Sequence, residues 1–289
     1  MRKSLNGVLS QLTGYELRRA RHSGTSGGGT SGGGTSGGGT SGGGTSGGGT
    51  SGGGTSDRGT STGKIPADID NEASAIIRAV GPYTMTSIEK LFAVITAARY
   101  VTRHEIPGAV VECGVWRGGS MHAIARAFDA VGEHERDLYL FDTYEGMTAP
   151  GPRDRRSDGR AAADLLASHG KTSRVWAYAS LEDVQEGFRQ VPYPQEKVHF
   201  IKGPVEQTIP SEAPERIAVL RLDTDWYEST AHELAHLYDR LMPGGVLLLD
   251  DYGWWQGSRE AVDEFLASTG ARLYLARTGS GRVAIKPVG

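Results

Sequence analysis

Four aspartates stand at the ends of two apolar runs, in Arg221-Leu222-Asp223-Thr224-Asp225 and in Leu249-Asp250-Asp251. If those runs are neighbouring strands, four carboxylates reach one rim, an unfavourable arrangement unless something cationic sits among them. A hard divalent ion meets that need: Mg²⁺ takes carboxylates, with water and substrate oxygens completing its octahedron. The same segments hold no Cys and no clustered His, which turns the choice away from softer metals. The simpler alternative is that Asp225 or Asp251 caps the helix that follows it.

A second constellation is Glu112-Cys113-Gly114-Val115-Trp116-Arg117-Gly118-Gly119-Ser120, a glycine-rich turn after an apolar run. In open α/β sheets ligands bind beyond the C-terminal strand ends, where glycine lets the backbone come close. Gly114, Gly118 and Gly119 suit that role. The spacing is neither Gly-x-Gly-x-x-Gly nor a P-loop, so a nicotinamide oxidoreductase and a nucleotide triphosphatase both lose ground. Glu112 suits the ammonium of a methionine moiety better than a pyrophosphate. Asp142, at the end of the next apolar run, stands where a carboxylate can accept both ribose hydroxyls of an adenosine; a solvated strand-end Asp is the alternative. Together the two sites favour an adenosyl cofactor.

His232-Glu233-Leu234-Ala235-His236 matches the zinc-hydrolase pattern His-Glu-x-x-His, with Glu260 as a conceivable third ligand. On a helical projection, however, Ala231, Leu234, Leu237, Tyr238 and Leu241 form the buried face and both histidines fall opposite it. Zinc hydrolysis therefore stays an alternative that needs the two histidines turned into a cleft. A catalytically silent adenosyl-binding module is another.

The elements that must position these residues alternate. Helices are expected at Ser87 to Arg103, Met121 to Ala130, Ser229 to Leu241 and Ser258 to Ala267, and strands at Ala109 to Cys113, Leu138 to Phe141, Val198 to Lys202, Ile217 to Leu222 and Gly245 to Leu249. Arg272 to Ala276 and Arg282 to Lys286 close the sheet as a hairpin. The pattern implies an α/β fold: a mainly parallel sheet with helices on both faces and an antiparallel C-terminal edge. Thr148 to Lys171, rich in Pro, Gly, Arg and Asp, reads as an acceptor-binding lid or a mobile surface insertion. Trp254 and Trp255 could stack on an acceptor ring or cover the sheet edge.

Length and composition set the bounds. The 289 residues carry a formal net charge of −3, with basic and acidic residues interspersed, so nucleic acid is not an expected partner. Cys113 is the single cysteine, which excludes an intrachain disulfide and a Cys-based zinc site and suits a reducing cytoplasm. No secretory leader or membrane span is expected. Three domains are expected: a short amphipathic segment at 1–22 (Leu5, Val8, Leu9, Leu12 and Leu17 at near-helical spacing), a flexible Thr-Ser-Gly-Gly-Gly linker at 23–64, and the folded domain at 65–289.

Val111 to Ser120, Tyr139 to Met147, Gly203 to Pro210, Leu220 to Thr230 and Pro243 to Tyr252 together resemble the macrocin O-methyltransferase family, and the similarity spans Tyr83 to Phe265. Members methylate sugar or other hydroxyls on macrolide, aminocoumarin and related natural products. The resemblance implies a Rossmann-like class I methyltransferase fold, S-adenosylmethionine and Mg²⁺ as cofactors, and a small-molecule acceptor. It implies that Asp223, Asp250 and Asp251 bind Mg²⁺ and that Asp225 is the general base. Glu112, Ser120 and Asp142 would contact the cofactor along with Gly114 and Gly118 of the turn. Met85 and Thr86 would close over its methionine end, and Ser180, Val205 and Glu206 would line the adenine. Pro204 departs from the family pattern and offers no backbone N–H. Family members tend to self-associate, so a homo-oligomer is expected.

Overall fold

The computed structural model describes residues 64–288; the 1–22 segment and nearly all of the 23–64 linker lie outside them. Seven strands form one sheet: β1 (Ala109–Cys113), β2 (Leu138–Asp142), β3 (Val198–Lys202), β4 (Ile217–Leu222), β5 (Leu241–Leu249), β6 (Ala276–Thr278) and β7 (Gly281–Ile285), in the order β3-β2-β1-β4-β5-β7-β6. The first five run parallel, and β7 joins β5 antiparallel. Central strands β1 and β4 are buried at every position, as continuous apolar runs covered on both faces must be.

The helices are α1 (Asn71–Val80), α2 (Ile88–Arg103), α3 (Gly119–Ala130), α4 (Ala162–Ala167), α5 (Leu181–Phe188), α6 (Val205–Thr208), α7 (Tyr227–Leu237) and α8 (Gln256–Thr269). Three are started by their own sequence: Asp70 accepts the Ala73 N–H at 2.8 Å, Ser87 that of Lys90 at 3.4 Å and Ser180 that of Asp183 at 3.3 Å. Helix α7 is different. Its N-cap residue Trp226 makes no side-chain cap, and the Tyr227 N–H donates instead to Asp154, far away in the chain, at 2.8 Å. That contact explains why α7 begins at Tyr227 and not at the expected Ser229.

The terminal hairpin is also displaced. Leu273 and Leu275, expected in its first strand, are partly buried against the α7 and α8 layer, so the chain reaches the sheet only at Ala276. The result is a three-residue edge strand, which offers little surface for unwanted pairing. Helix α7 ends at Leu237 because Leu241 is already paired with Ile217 across β4 and β5.

Strand alternation sorts the core into two layers. Val110, Leu138, Leu140, Val219, Val246 and Leu248 face one way, onto Ile77, Leu91, Ile95, Met121, Ile124 and Phe128 of α1 to α3. Val111, Phe141, Leu220, Leu222, Leu247 and Leu249 face the other way, onto Leu234, Leu237 and Val262. The same period of two carries past the apolar residues. Glu112, Arg221 and Asp250 continue the α2 side, whereas Cys113 and Asp251 continue the α7 side. No helix among the described residues is long and apolar enough to cross a membrane.

Candidate active site

Register makes the acid cluster. Cys113 pairs with Leu222 and Leu222 with Leu249, so β1, β4 and β5 end level and the residues after them emerge side by side. Oxygens of Asp223, Asp250 and Asp251 lie within 4.8 Å of one another. They floor a cavity of about 530 Å³ also lined by Asp225, Gly114, Asp142, Met85, Thr86, Val205, Glu206 and Trp254. Two cations missed by the sequence reading sit beneath them. Arg221, 2% exposed, donates to Asp223 at 2.8 Å, to Asp250 at 2.6 Å, to Glu112 at 2.5 Å and to Thr86 at 3.1 Å. Lys90 reaches from α2 to the Asp250 carboxylate at 2.6 Å and to its carbonyl at 2.9 Å. The signal for Arg221 was its break in an apolar strand; Lys90 carried none.

The charges do not cancel. Five carboxylates face two cations, and the remainder is visible in the acidities. Burial, with repulsion from Asp250 and Asp251, drives the Asp223 carboxyl well up against the pull of Arg221. Burial and the nearby Asp225 and Asp250 do the same to Asp251. Asp250, by contrast, is held below the usual carboxylate range, because Arg221 and Lys90 overcome its burial. Glu112, 1% exposed, is raised to about 7 by burial despite Arg221. A rim of hard oxygen donors with negative charge left over fits a divalent cation such as Mg²⁺.

Asp142 ties the glycine turn to β2. Its Oδ2 accepts the Val115 and Trp116 N–H groups at 2.7 and 3.1 Å, and its Oδ1 that of Tyr144 at 2.7 Å. The Thr143 hydroxyl approaches the same Oδ1 at 3.4 Å, so the protein itself meets most of the roughly four lone-pair sites of this carboxylate. The turn glycines serve the protein as much as any ligand. At φ +81, Gly114 lies so close to the Asp223 carbonyl that a Cβ would sit 2.1 Å from it, and a Cβ on Gly119 would meet Thr84 at 2.5 Å.

Four residues expected at the cofactor do not line the cavity. Gly118 packs under His122 and Phe188. Ser120 is buried in the first turn of α3. Ser180 caps α5, accepting the Asp183 N–H at 3.3 Å, and Glu112 lies behind the wall on Arg221.

The His-Glu-x-x-His segment turns its histidines away from this cavity, as its periodicity required. His232 approaches the Ile209 carbonyl at 3.0 Å and its ring lies 4.4 Å from that of His236. Glu233 points the other way and is fully buried, beside Thr224 and Cys113. None of the three lines the cavity, and Glu260 pairs with Arg153 at 3.4 Å. A zinc-hydrolase arrangement is absent among the described residues.

The 148–171 insertion is docked along its first half. Asp154, 2% exposed, accepts Gly151 N–H at 2.7 Å as well as Tyr227 N–H. The Trp226 indole donates to the Thr148 carbonyl at 3.2 Å. The two adjacent tryptophans take different parts: Trp254 lines the cavity, and Trp255 is buried with its indole N–H donating to Asp225.

One cavity thus joins Asp142, at the end of β2, to the acid rim after β4 and β5. The model of the macrocin-O-methyltransferase (TylF) family matches residues 65–277. The chain belongs to this family. As a member it is an S-adenosylmethionine-dependent O-methyltransferase. It is 34% identical to a demethyldecarbamoylnovobiocin O-methyltransferase of Streptomyces niveus, over 64% of this chain and 68% of that one. It is 32% identical to a mycinamicin III 3''-O-methyltransferase of Micromonospora griseorubida, over 63% and 70%. The structure of the O-methyltransferase NovP superposes with a TM-score of 0.63 at 30% identity, covering 71% of this chain and 83% of that one. A calicheamicin methyltransferase, at 20% identity and a TM-score of 0.51 over 68% and 77% of the two chains, shares the fold.

Proposed function

We propose that this methyltransferase acts on a hydroxyl of a glycosylated natural product, with Asp225 as general base and Asp223, Asp250 and Asp251 as the seat of Mg²⁺. The observation that carries the reading is the convergence of three carboxylates within 4.8 Å, beside Asp225, on the floor of a cavity that also holds Asp142. The acceptor class follows the relatives, whose names specify demethyldecarbamoylnovobiocin, mycinamicin III and a rhamnosyl-tetracenomycin C.

When bound, Mg²⁺ would supply a Lewis acid that makes an acceptor hydroxyl easier to deprotonate. Asp225 accepts that proton on its carboxylate as the acceptor oxygen bonds to the methyl carbon and the carbon–sulfur bond breaks toward sulfur. The products are a methyl ether, S-adenosylhomocysteine and a protonated Asp225. Asp142 and the turn at Gly114 hold the adenosyl end, while Met147, Thr148 and Trp254 wall the acceptor side. Because the sulfonium is already a reactive donor, the main contribution of the chain is alignment.

The test is transfer of radiolabelled methyl to demethyldecarbamoylnovobiocin and mycinamicin III, alongside calorimetry of EDTA-treated protein with S-adenosylmethionine and with Mg²⁺. Asp225→Asn is expected to abolish transfer and leave cofactor binding intact; full transfer removes Asp225 from the base role. A Mg²⁺ signal that persists in Asp250→Ala removes the metal assignment.

A further inference from the structure

Asp225 occupies an exacting position. It sits in the left-handed region, at φ 68, in the loop after β4, with its own N–H donating to Asp251 at 3.0 Å. A carboxylate there is repelled by its neighbour Asp251. Opposite stands the indole of Trp255, 4% exposed, which donates to Asp225 Oδ1 and meets Trp226 edge-on at 5.0 Å. An indole N–H can only donate. It therefore holds one carboxylate oxygen of Asp225 without competing for a proton.

Trp255 is in turn held by the insertion. Arg156 bridges to it in antiparallel fashion, Ser157 N–H donates to the Trp254 carbonyl at 2.8 Å, and Gln256 N–H donates to the Arg155 carbonyl at 2.8 Å. Asp154 fastens the same insertion to α7 at Tyr227, two residues beyond Asp225. We propose that Trp255 is a positioning residue for Asp225, and that docking of the 148–161 insertion and aiming of the base are one event. This rests on the base role given to Asp225 above. It assigns the insertion a task besides covering the acceptor.

The experiment follows the indole N–H resonances of the full chain labelled with ¹⁵N-tryptophan, the Trp255 signal being the one lost in Trp255→Phe. In wild type it lies downfield, on a charged acceptor; Asp225→Asn moves it upfield and leaves exchange protection of 148–161 unchanged. Asp154→Ala removes that protection and moves the same resonance. A Trp255 signal indifferent to both substitutions overturns the proposal, as does loss of protection in Asp154→Ala with the signal unmoved. On whichever of demethyldecarbamoylnovobiocin and mycinamicin III the wild type methylates, Trp255→Phe lowers kcat tenfold or more, keeps the cofactor Kd within twofold, and adds nothing in an Asp225→Asn background. Full turnover in Asp225→Asn overturns the base role and this proposal with it. A silent Trp255→Phe beside an inactive Asp225→Asn overturns this proposal alone.

Discussion

Arg221 shows what one buried charge can organise. It serves Glu112, Asp223 and Asp250 at once, and removing one partner of a buried ionic network costs about 3–5 kcal/mol, because the remaining charges stay desolvated. Arg221→Met is expected to lower stability by about that amount in urea titration; a loss within experimental error would mean that the acids relax into water. His122 makes a different residue-scale prediction. Its ring is buried between Tyr83, at 4.7 Å, and Phe188, at 4.4 Å. Burial first, then Arg126 and Arg117, hold its pKa down at about 3. The unfolded chain binds this proton below about pH 6.5 and the native state does not, so the wild type loses stability as pH falls from there toward 3, at about 1.4 kcal/mol per unit. His122→Phe keeps the packing and removes that slope. Between pH 6.5 and 5 the wild type is expected to lose about 2 kcal/mol more than the variant in urea titrations at the two pH values.

At the scale of elements, α1 and α7 represent two ways of starting a helix. Asp70 caps α1 and also pairs with Arg99 at 2.7 Å; this side-chain bond, followed by the cap, lowers its pKa to about 2. Asp70→Ala is expected to cost about 1 kcal/mol at pH 7. The difference from wild type should be present above about pH 4 and fade as pH falls toward 2, since a depressed carboxylate stabilises only while ionised. Paired urea titrations at pH 7 and 2.5 check it; an undiminished difference at the lower pH would exclude the charged cap. Helix α7 has no such local signal, because its cap is Asp154 of the insertion, so its start and the docking of that insertion stand or fall together.

For the whole molecule, the consequence of the acid rim is coupling between ligand and fold. A cation that binds only the native state adds about 2.7 kcal/mol at one hundred times its Kd, which in a domain of this size raises the Tm by about 5–10 °C. Adding Mg²⁺ to EDTA-treated protein is expected to give a rise of that order, absent in Asp250→Ala; no rise in the wild type would count against the metal. The rim itself is a property of the assembled sheet, because β1, β4 and β5 must end level before the acids meet.

The sequence by itself determined the parallel sheet, its order of strands and helices, and the placement of His232 and His236 away from the strand-end cavity, since periods of 2 and 3.6 are local properties of the chain. It also placed Asp223, Asp225, Asp250 and Asp251 at strand ends and Asp142 beyond the glycine turn. The tertiary structure alone decided which groups neutralise those acids: Lys90 and Glu112 meet Asp250 and Arg221 through register and strand alternation, and no window of sequence records a partner 109 or 160 residues away. It also separated Trp254 from Trp255. Two adjacent indoles read alike in sequence, but only a packed insertion and a fixed loop can turn one toward the cavity and the other onto Asp225.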